Sequence, residues 1–222
     1  MKYILLIILP VLMTIRLNGQ EINTLITQIK KKLDKIDQYE ATGTMKTSIA
    51  YLKIPLAKIK IRYKKPNTFT VQSNNGVTFI PKGIDAILLQ NLLSNEFTLI
   101  DAGKQLINKK QLRVVNLLPI SQQSNIVLST LYINEKELLI EKNTTTTKEE
   151  GSYEVEMQYG KYTKDGLPDK LIFTFNSKDY KIPKGLTLDF DNTSSKNKSN
   201  TVKANKGRAE IVFEKYRINQ IE

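Results

Sequence analysis

Between Ala57 and Val71, apolar and charged residues alternate one for one. Ala57, Ile59, Ile61 and Tyr63 are interleaved with Lys58, Lys60, Arg62 and Lys64. A period of two is that of a β-strand with one apolar and one wet face. Lys65-Pro66-Asn67 interrupts the pattern. Proline cannot extend a central strand and asparagine tolerates turn geometry, so a corner is predicted there. Thr68 to Val71 resumes the alternation with Phe69 and Val71 on one side. The spacing predicts a long amphipathic strand, a turn and a return strand, with one greasy face.

The same test, taken along the rest of the chain, predicts two helices and a succession of strands. In 22–37, Ile22, Leu25, Ile26, Ile29, Leu33 and Ile36 recur at helical spacing, with Lys30, Lys31, Asp34 and Lys35 opposite. This is a helix that buries a stripe against a sheet, with a membrane-surface helix as the alternative. A long strand is predicted over about Glu40 to Lys53, ending at the Pro55-Leu56 corner. Residues 84–93, IDAILLQNLL, are apolar nearly all round, as expected of a short helix buried on most sides, either as core or as a lid.

Strands follow over Val77–Ile80, Phe97–Asp101, Gln105–Asn108, Leu112–Leu117, Ile126–Ile133, Glu137–Asn143, Tyr153–Tyr162, Lys170–Asn176 and Lys206–Arg217. Turn signals separate them, Asn134-Glu135-Lys136 and Asp165-Gly166 among them. Successive strands with one apolar face each imply one curved antiparallel sheet over one core. Residues 191–206 are polar and of low complexity, and read as a mobile loop.

Composition narrows the setting. Lys2, the apolar run Ile4–Ile15 and Leu17-Asn18-Gly19-Gln20 have the order of a secretory signal, so 1–19 is expected to be cleaved near residue 19 or 20. The remainder, 20–222, is expected to be a single exported domain. There is no cysteine, which excludes disulfides, thiolate metal sites and a thiol nucleophile. The formal charge is +12. In an exported protein this points to solubility or an anionic surface rather than nucleic acid. Lys58, Lys60, Arg62 and Lys64 are the residues of that anionic-surface reading, whose sign would be steep salt dependence.

The candidate chemistry is thin. With no histidine, the usual general base, zinc ligand and Ser-His-Asp triad are excluded. No Gly-rich phosphate loop occurs. Asp189-Phe190-Asp191 lacks the ligand count of a calcium loop, and Glu154 and Glu156 read as the wet face of a strand. Asn143-Thr144-Thr145 has the form of a glycosylation sequon. The expectation is a protein that is not an enzyme and has no metal and no cofactor.

Taken in order, the segments resemble the LolA-like family of outer-membrane lipoprotein carriers and lipoprotein-sorting proteins. The first helix ends Leu33-Asp34-Lys35-Ile36 and Tyr39 opens a long strand. Lys65-Pro66-Asn67-Thr68-Phe69 matches the family's basic-Pro-Asn-Phe corner. Leu131-Tyr132-Ile133-Asn134 to Leu139-Ile140 is similar to its hairpin, and Ile182-Pro183-Lys184-Gly185-Leu186 to its late Pro-x-Gly element.

The resemblance implies an α+β fold, mainly β. A curved antiparallel sheet would form a half-open, incomplete barrel with helices covering its mouth. It implies a periplasmic carrier that shelters acyl chains of lipoproteins or other lipids in a hydrophobic cavity, taken from an inner-membrane donor and delivered to an outer-membrane acceptor, and acting as a monomer. The lining candidates are Ile59, Ile61, Tyr63, Phe69, Val71 and Phe173, and the lid candidates Ile84, Ile87, Leu88 and Leu92. Lys65 would stand where the family holds a lid-latching arginine, although an ammonium cannot make a guanidinium's forked contacts. A second reading stays open: an exported structural or sensory interaction domain on the same sheet, with a filled core and a protein partner.

Overall fold

The alternating segments pair edge to edge into one antiparallel sheet. In the computed structural model the described residues are 20–49, 52–53, 55–66, 68–73, 88–149, 151–176 and 206–220. A helix, α1, runs through 20–33. The strands are β1 (Gln38–Ile49), β2 (Leu52–Lys53), β3 (Ala57–Lys64), β4 (Thr68–Ser73), β5 (Phe97–Ile107), β6 (Lys110–Pro119), β7 (Ile126–Asn134), β8 (Leu139–Thr147), β9 (Ser152–Gln158), β10 (Lys170–Asn176) and β11 (Lys206–Ile218). A short helix, α2 (Leu89–Ser94), precedes β5.

The spatial order is β4-β3-β1-β11-β10-β9-β8-β7-β6-β5, with β2 folded back on β1. The two end strands, β4 and β5, are not paired to one another, so the sheet is an incomplete barrel. From β5 to β11 each strand pairs with the next in sequence, and β1 closes on β11 in the middle of the sheet.

The alternation has the predicted consequence. Along β3 Ala57, Ile59, Ile61 and Tyr63 are buried, and Lys58, Arg62 and Lys64 are exposed. On α1, Ile22, Ile29 and Leu33 are buried, as is Ile36 just beyond it, and Leu25 and Ile26 pack on the same core. The core is the space between the inner face of the sheet and the two helices. Along the β1–β11 seam that face carries small residues: Ala41, Gly43, Gly207 and Ala209. At Gly43, beside a bulge in β1, a Cβ would lie 2.2 Å from the Val212 carbonyl oxygen, which no larger residue allows.

Several boundaries differ from the pattern, each for a local reason. The helix expected over 22–37 ends at residue 33. Asn219, at φ 53°, accepts from the backbone N–H groups of Asp37 and Gln38 and donates to the Lys35 carbonyl, turning the chain into β1. The strand expected over 40–53 folds back, with Ser48 opposite Lys53 and Ile49 opposite Leu52. The two strands predicted on either side of Gly103 are one strand, β5. Gly103 (φ 83°) donates to the Asp101 carboxylate and forms an irregularity in the ladder, not a turn.

The strand expected over Glu137–Asn143 starts at Leu139 and runs on through the threonines to Thr147, β-branched residues that suit a strand. The strand expected over Tyr153–Tyr162 stops at Gln158, and a single 3₁₀ turn, Thr163–Asp165, follows. The signal segment 1–19, the strand Val77–Ile80, lid candidates Ile84 and Ile87, the Asp189–Asp191 and Ile182–Leu186 motifs, and all of 191–206 but Lys206 lie outside the described residues.

Candidate functional site

The inner face of the sheet and the two helices above it are where the predicted lining residues meet. Ile59, Ile61, Tyr63 and Phe173 are buried, and Phe69 and Val71 are half-buried against the same cluster. Ile61 stands opposite Ala41 on β1 and Val71 on β4, and Tyr63 stands opposite Tyr39 and Phe69. Phe173 lies beyond the β1–β11 seam, opposite Ala209 and Val155, with its ring 5.4 Å from that of Phe175 and 5.6 Å from that of Tyr153.

The six candidates therefore belong to one contiguous apolar surface. Ile59, Ile61, Tyr63 and Phe173 are each at most 4% exposed, so that part of the surface is in contact with protein atoms.

Of the lid candidates in the described residues, Leu92 lies on α2 and Leu88 caps its N-terminus in an extended conformation; both are buried, with Leu89 and Leu93. α2 is only six residues long, so its stability comes from those side chains and not from its own hydrogen bonds.

α1 is fastened at both ends, and Lys65 is one of the fasteners. Its ammonium donates to the Asp34 carbonyl just past the helix, and to Asp37 Oδ1 at 3.0 Å. The Asp37 carboxylate is exposed, which leaves that ion pair little weight. The contact with the carbonyl end of α1, where a cation also meets the helix dipole, is the stronger tie. Lys32 reaches the Glu137 carbonyl on the β7–β8 turn at 2.9 Å, and burial pushes its ammonium below the usual lysine range.

At the other end Arg113 on β6 ties Asp101 of β5 to Glu135 of the β7–β8 turn (3.9 Å) and to Glu21 of α1 (3.8 Å). A cleft of about 390 Å³ opens between this end of α1 and the β7–β8 turn, lined by residues such as Thr24, Leu25, Gln28 and Leu138. A second, of about 420 Å³, lies among Leu112, Leu139, Glu141, Met157 and Tyr159. None of the six lining candidates borders either cleft.

Under the α1–β1 corner five aromatic rings interlock. Tyr39 meets Tyr63 at 5.3 Å and Tyr216 at 5.6 Å, and Tyr216 meets Tyr162 at 4.8 Å and Phe213 at 5.0 Å. The Tyr216 hydroxyl donates to the Pro168 carbonyl. Burial pushes the phenols of Tyr39, Tyr63 and Tyr216 above the usual range, so they stay neutral. On the outer face, hydrogen bonding by Arg62, then Lys60 nearby, holds the Glu40 carboxyl below the usual range.

Three inward polar residues were not singled out as site residues by the pattern. Ser129, Asn143 and Thr145 are fully buried. Asn143 is the first residue of the sequon, so its burial excludes glycosylation of the folded chain. Their polar character at core positions is the signal that points to them, but only strand register shows that they face inward. Among the described residues, no three or more Asp or Glu side chains are grouped so as to hold a metal ion. No described helix is long and apolar enough to cross a membrane.

No protein-family model matches the sequence and no curated protein matches it. The fold has clear structural likenesses. An outer membrane lipoprotein-sorting protein domain from Vibrio parahaemolyticus superposes with a TM-score of 0.57 at 8% identity, covering 90% of this chain and 93% of that one. A DUF1329 family protein from Desulfovibrio piger gives 0.57 at 9% identity over 91% and 93% of the two chains. A LolA superfamily protein from Nitrosomonas europaea gives 0.55 at 9% identity over 88% and 94%. The chain has a LolA-like fold, as the order of its sequence motifs leads one to expect.

Proposed function

We propose that this protein is a periplasmic carrier that shelters acyl chains of lipoproteins or other lipids against the inner face of its sheet. It acts without catalysis and delivers its cargo toward the outer membrane. The observation that carries the reading is the largely apolar inner face, packed against two helices rather than against a second sheet. The names of the similar structures, lipoprotein-sorting and LolA superfamily, support it. A buried methylene gains about 0.8 kcal/mol, so a long acyl chain supplies enough free energy to displace a short helix. Ile59, Ile61, Tyr63, Phe69, Val71 and Phe173 form the lining, Leu88 and Leu92 belong to the lid, and Lys65 latches α1. An inner-membrane donor, an outer-membrane acceptor and a monomeric state belong to the same proposal.

The near-complete burial of four lining residues favours the second reading, an exported interaction domain with a filled core. Uptake of a dansyl-labelled undecanoic acid separates the two. The carrier reading predicts a saturable rise in fluorescence, with faster uptake by Lys65→Met, which keeps the aliphatic stem and frees the end of α1. No uptake by either protein would favour the filled core.

A further inference from the structure

Asn143, on β8, stands on the inner face with both ends of its amide unused. It is 0% exposed, and neither Oδ1 nor Nδ2 has a hydrogen-bond partner. Its neighbours across the sheet are Leu131 on β7 and Val155 on β9, both fully buried, and the row continues through Val115 on one side and Phe173 on the other. Two residues along β8, Thr145 faces the same way, but its hydroxyl is already paired with Ser129 at 2.8 Å.

A buried amide left unpaired is a standing cost to the fold, and an aliphatic residue of similar size would remove it. The rest of the row shows that aliphatic and aromatic residues fit this face. The adjoining ionic groups, Lys142 and Glu154, are paired with each other on the opposite face at 2.7 Å. Among the described residues, the ionic neighbours on β8 and β9 therefore face away from Asn143, and Arg113, the inward cation on β6, is already engaged by Asp101, so an uncharged group suits the amide better than a phosphate or a carboxylate.

We infer that Asn143 is the polar contact for an acyl ligand on the inner face, and that it pairs with an uncharged carbonyl group of that ligand, an amide or ester. Nδ2 donates to the ligand carbonyl, and an amide ligand returns an N–H to Oδ1. The acyl chain then runs over the apolar row on either side. The assignment rests on the carrier reading above and adds to it a selection by head group.

The test uses two full-length variants, Asn143→Leu and Asn143→Val, so that a folding defect in one does not end it. Uptake of diphenylhexatriene, a pure hydrocarbon, is measured first. Displacement of that probe by heptadecane and by N-methylpalmitamide follows. The inference predicts that both variants take up the probe and bind heptadecane within about twofold of the parent. The amide-to-hydrocarbon affinity ratio should fall by roughly tenfold, the scale of a lost buried hydrogen bond. An unchanged ratio in both variants would overturn the role of Asn143 and leave the carrier reading standing. Failure of the parent protein to take up diphenylhexatriene would overturn the carrier reading itself, and the role of Asn143 with it.

Discussion

Asn219 shows how much a single side chain can organise. Its carboxamide makes three hydrogen bonds to the α1–β1 turn, and its own N–H donates to the Gln38 carbonyl. Its φ of 53° is one that asparagine tolerates better than most residues. Asn219→Ala removes the three bonds and adds backbone strain, so it should lower stability by about 2 kcal/mol. Asn219→Gly keeps the backbone freedom and isolates the hydrogen bonds, so it should cost less than alanine. Urea midpoints for the three proteins measure this, and an unchanged midpoint in Asn219→Ala would contradict it. Neither Asn219 nor Asn143 was legible as a key residue in the sequence. One acts on residues more than 180 positions away, and the other is known to face inward only from strand register. Lys65 stands out in the sequence because its corner motif is local, but the bonds its ammonium makes among the described residues go to Asp34 and Asp37 at the end of α1, not to α2, the segment that the resemblance makes the lid.

At the scale of elements, alternation predicted which face of each strand is buried, and the helical stripe did the same for α1. Boundaries were less legible, because they depend on contacts from elsewhere. Gly103 reads as a turn signal, yet the ladder to β6 continues past it. The 40–53 run reads as one strand, yet its end folds back onto β1. The outer face of β3, β1 and β11 adds an electrostatic prediction. Glu40 on β1 lies 2.9 Å from Arg62 Nε, 3.5 Å from Lys60 and 3.7 Å from Arg217, and so links the three strands. Its carboxyl is held below the usual glutamate range, chiefly by the hydrogen bond from Arg62. A carboxyl that titrates lower when folded contributes stability above its unfolded pKa, and the contribution is lost as pH falls through the folded value. The parent should therefore lose stability more steeply than Glu40→Gln between about pH 5 and pH 3. Parallel urea midpoints for the two proteins over that range would show that the cluster contributes nothing.

For the whole molecule, the sequence suggested one curved antiparallel sheet covered by helices, and the structure has it. The meeting of β1 with β11 mid-sheet and the unpaired end strands β4 and β5 were not readable from periodicity, which carries no information on which distant strands pair. α1 is held over the inner face by a few polar ties at its ends, and both helices by apolar contact. A cover held in that way can be displaced by an apolar guest that replaces the contacts it loses. The carrier role requires such a guest. Native mass spectrometry of the protein, purified from its host without strong detergent, would reveal it. A carrier should show a mass excess that matches one or two acylated molecules and disappears on organic extraction. A bare polypeptide mass, from a protein that also fails to take up added fluorescent fatty acid, would contradict it.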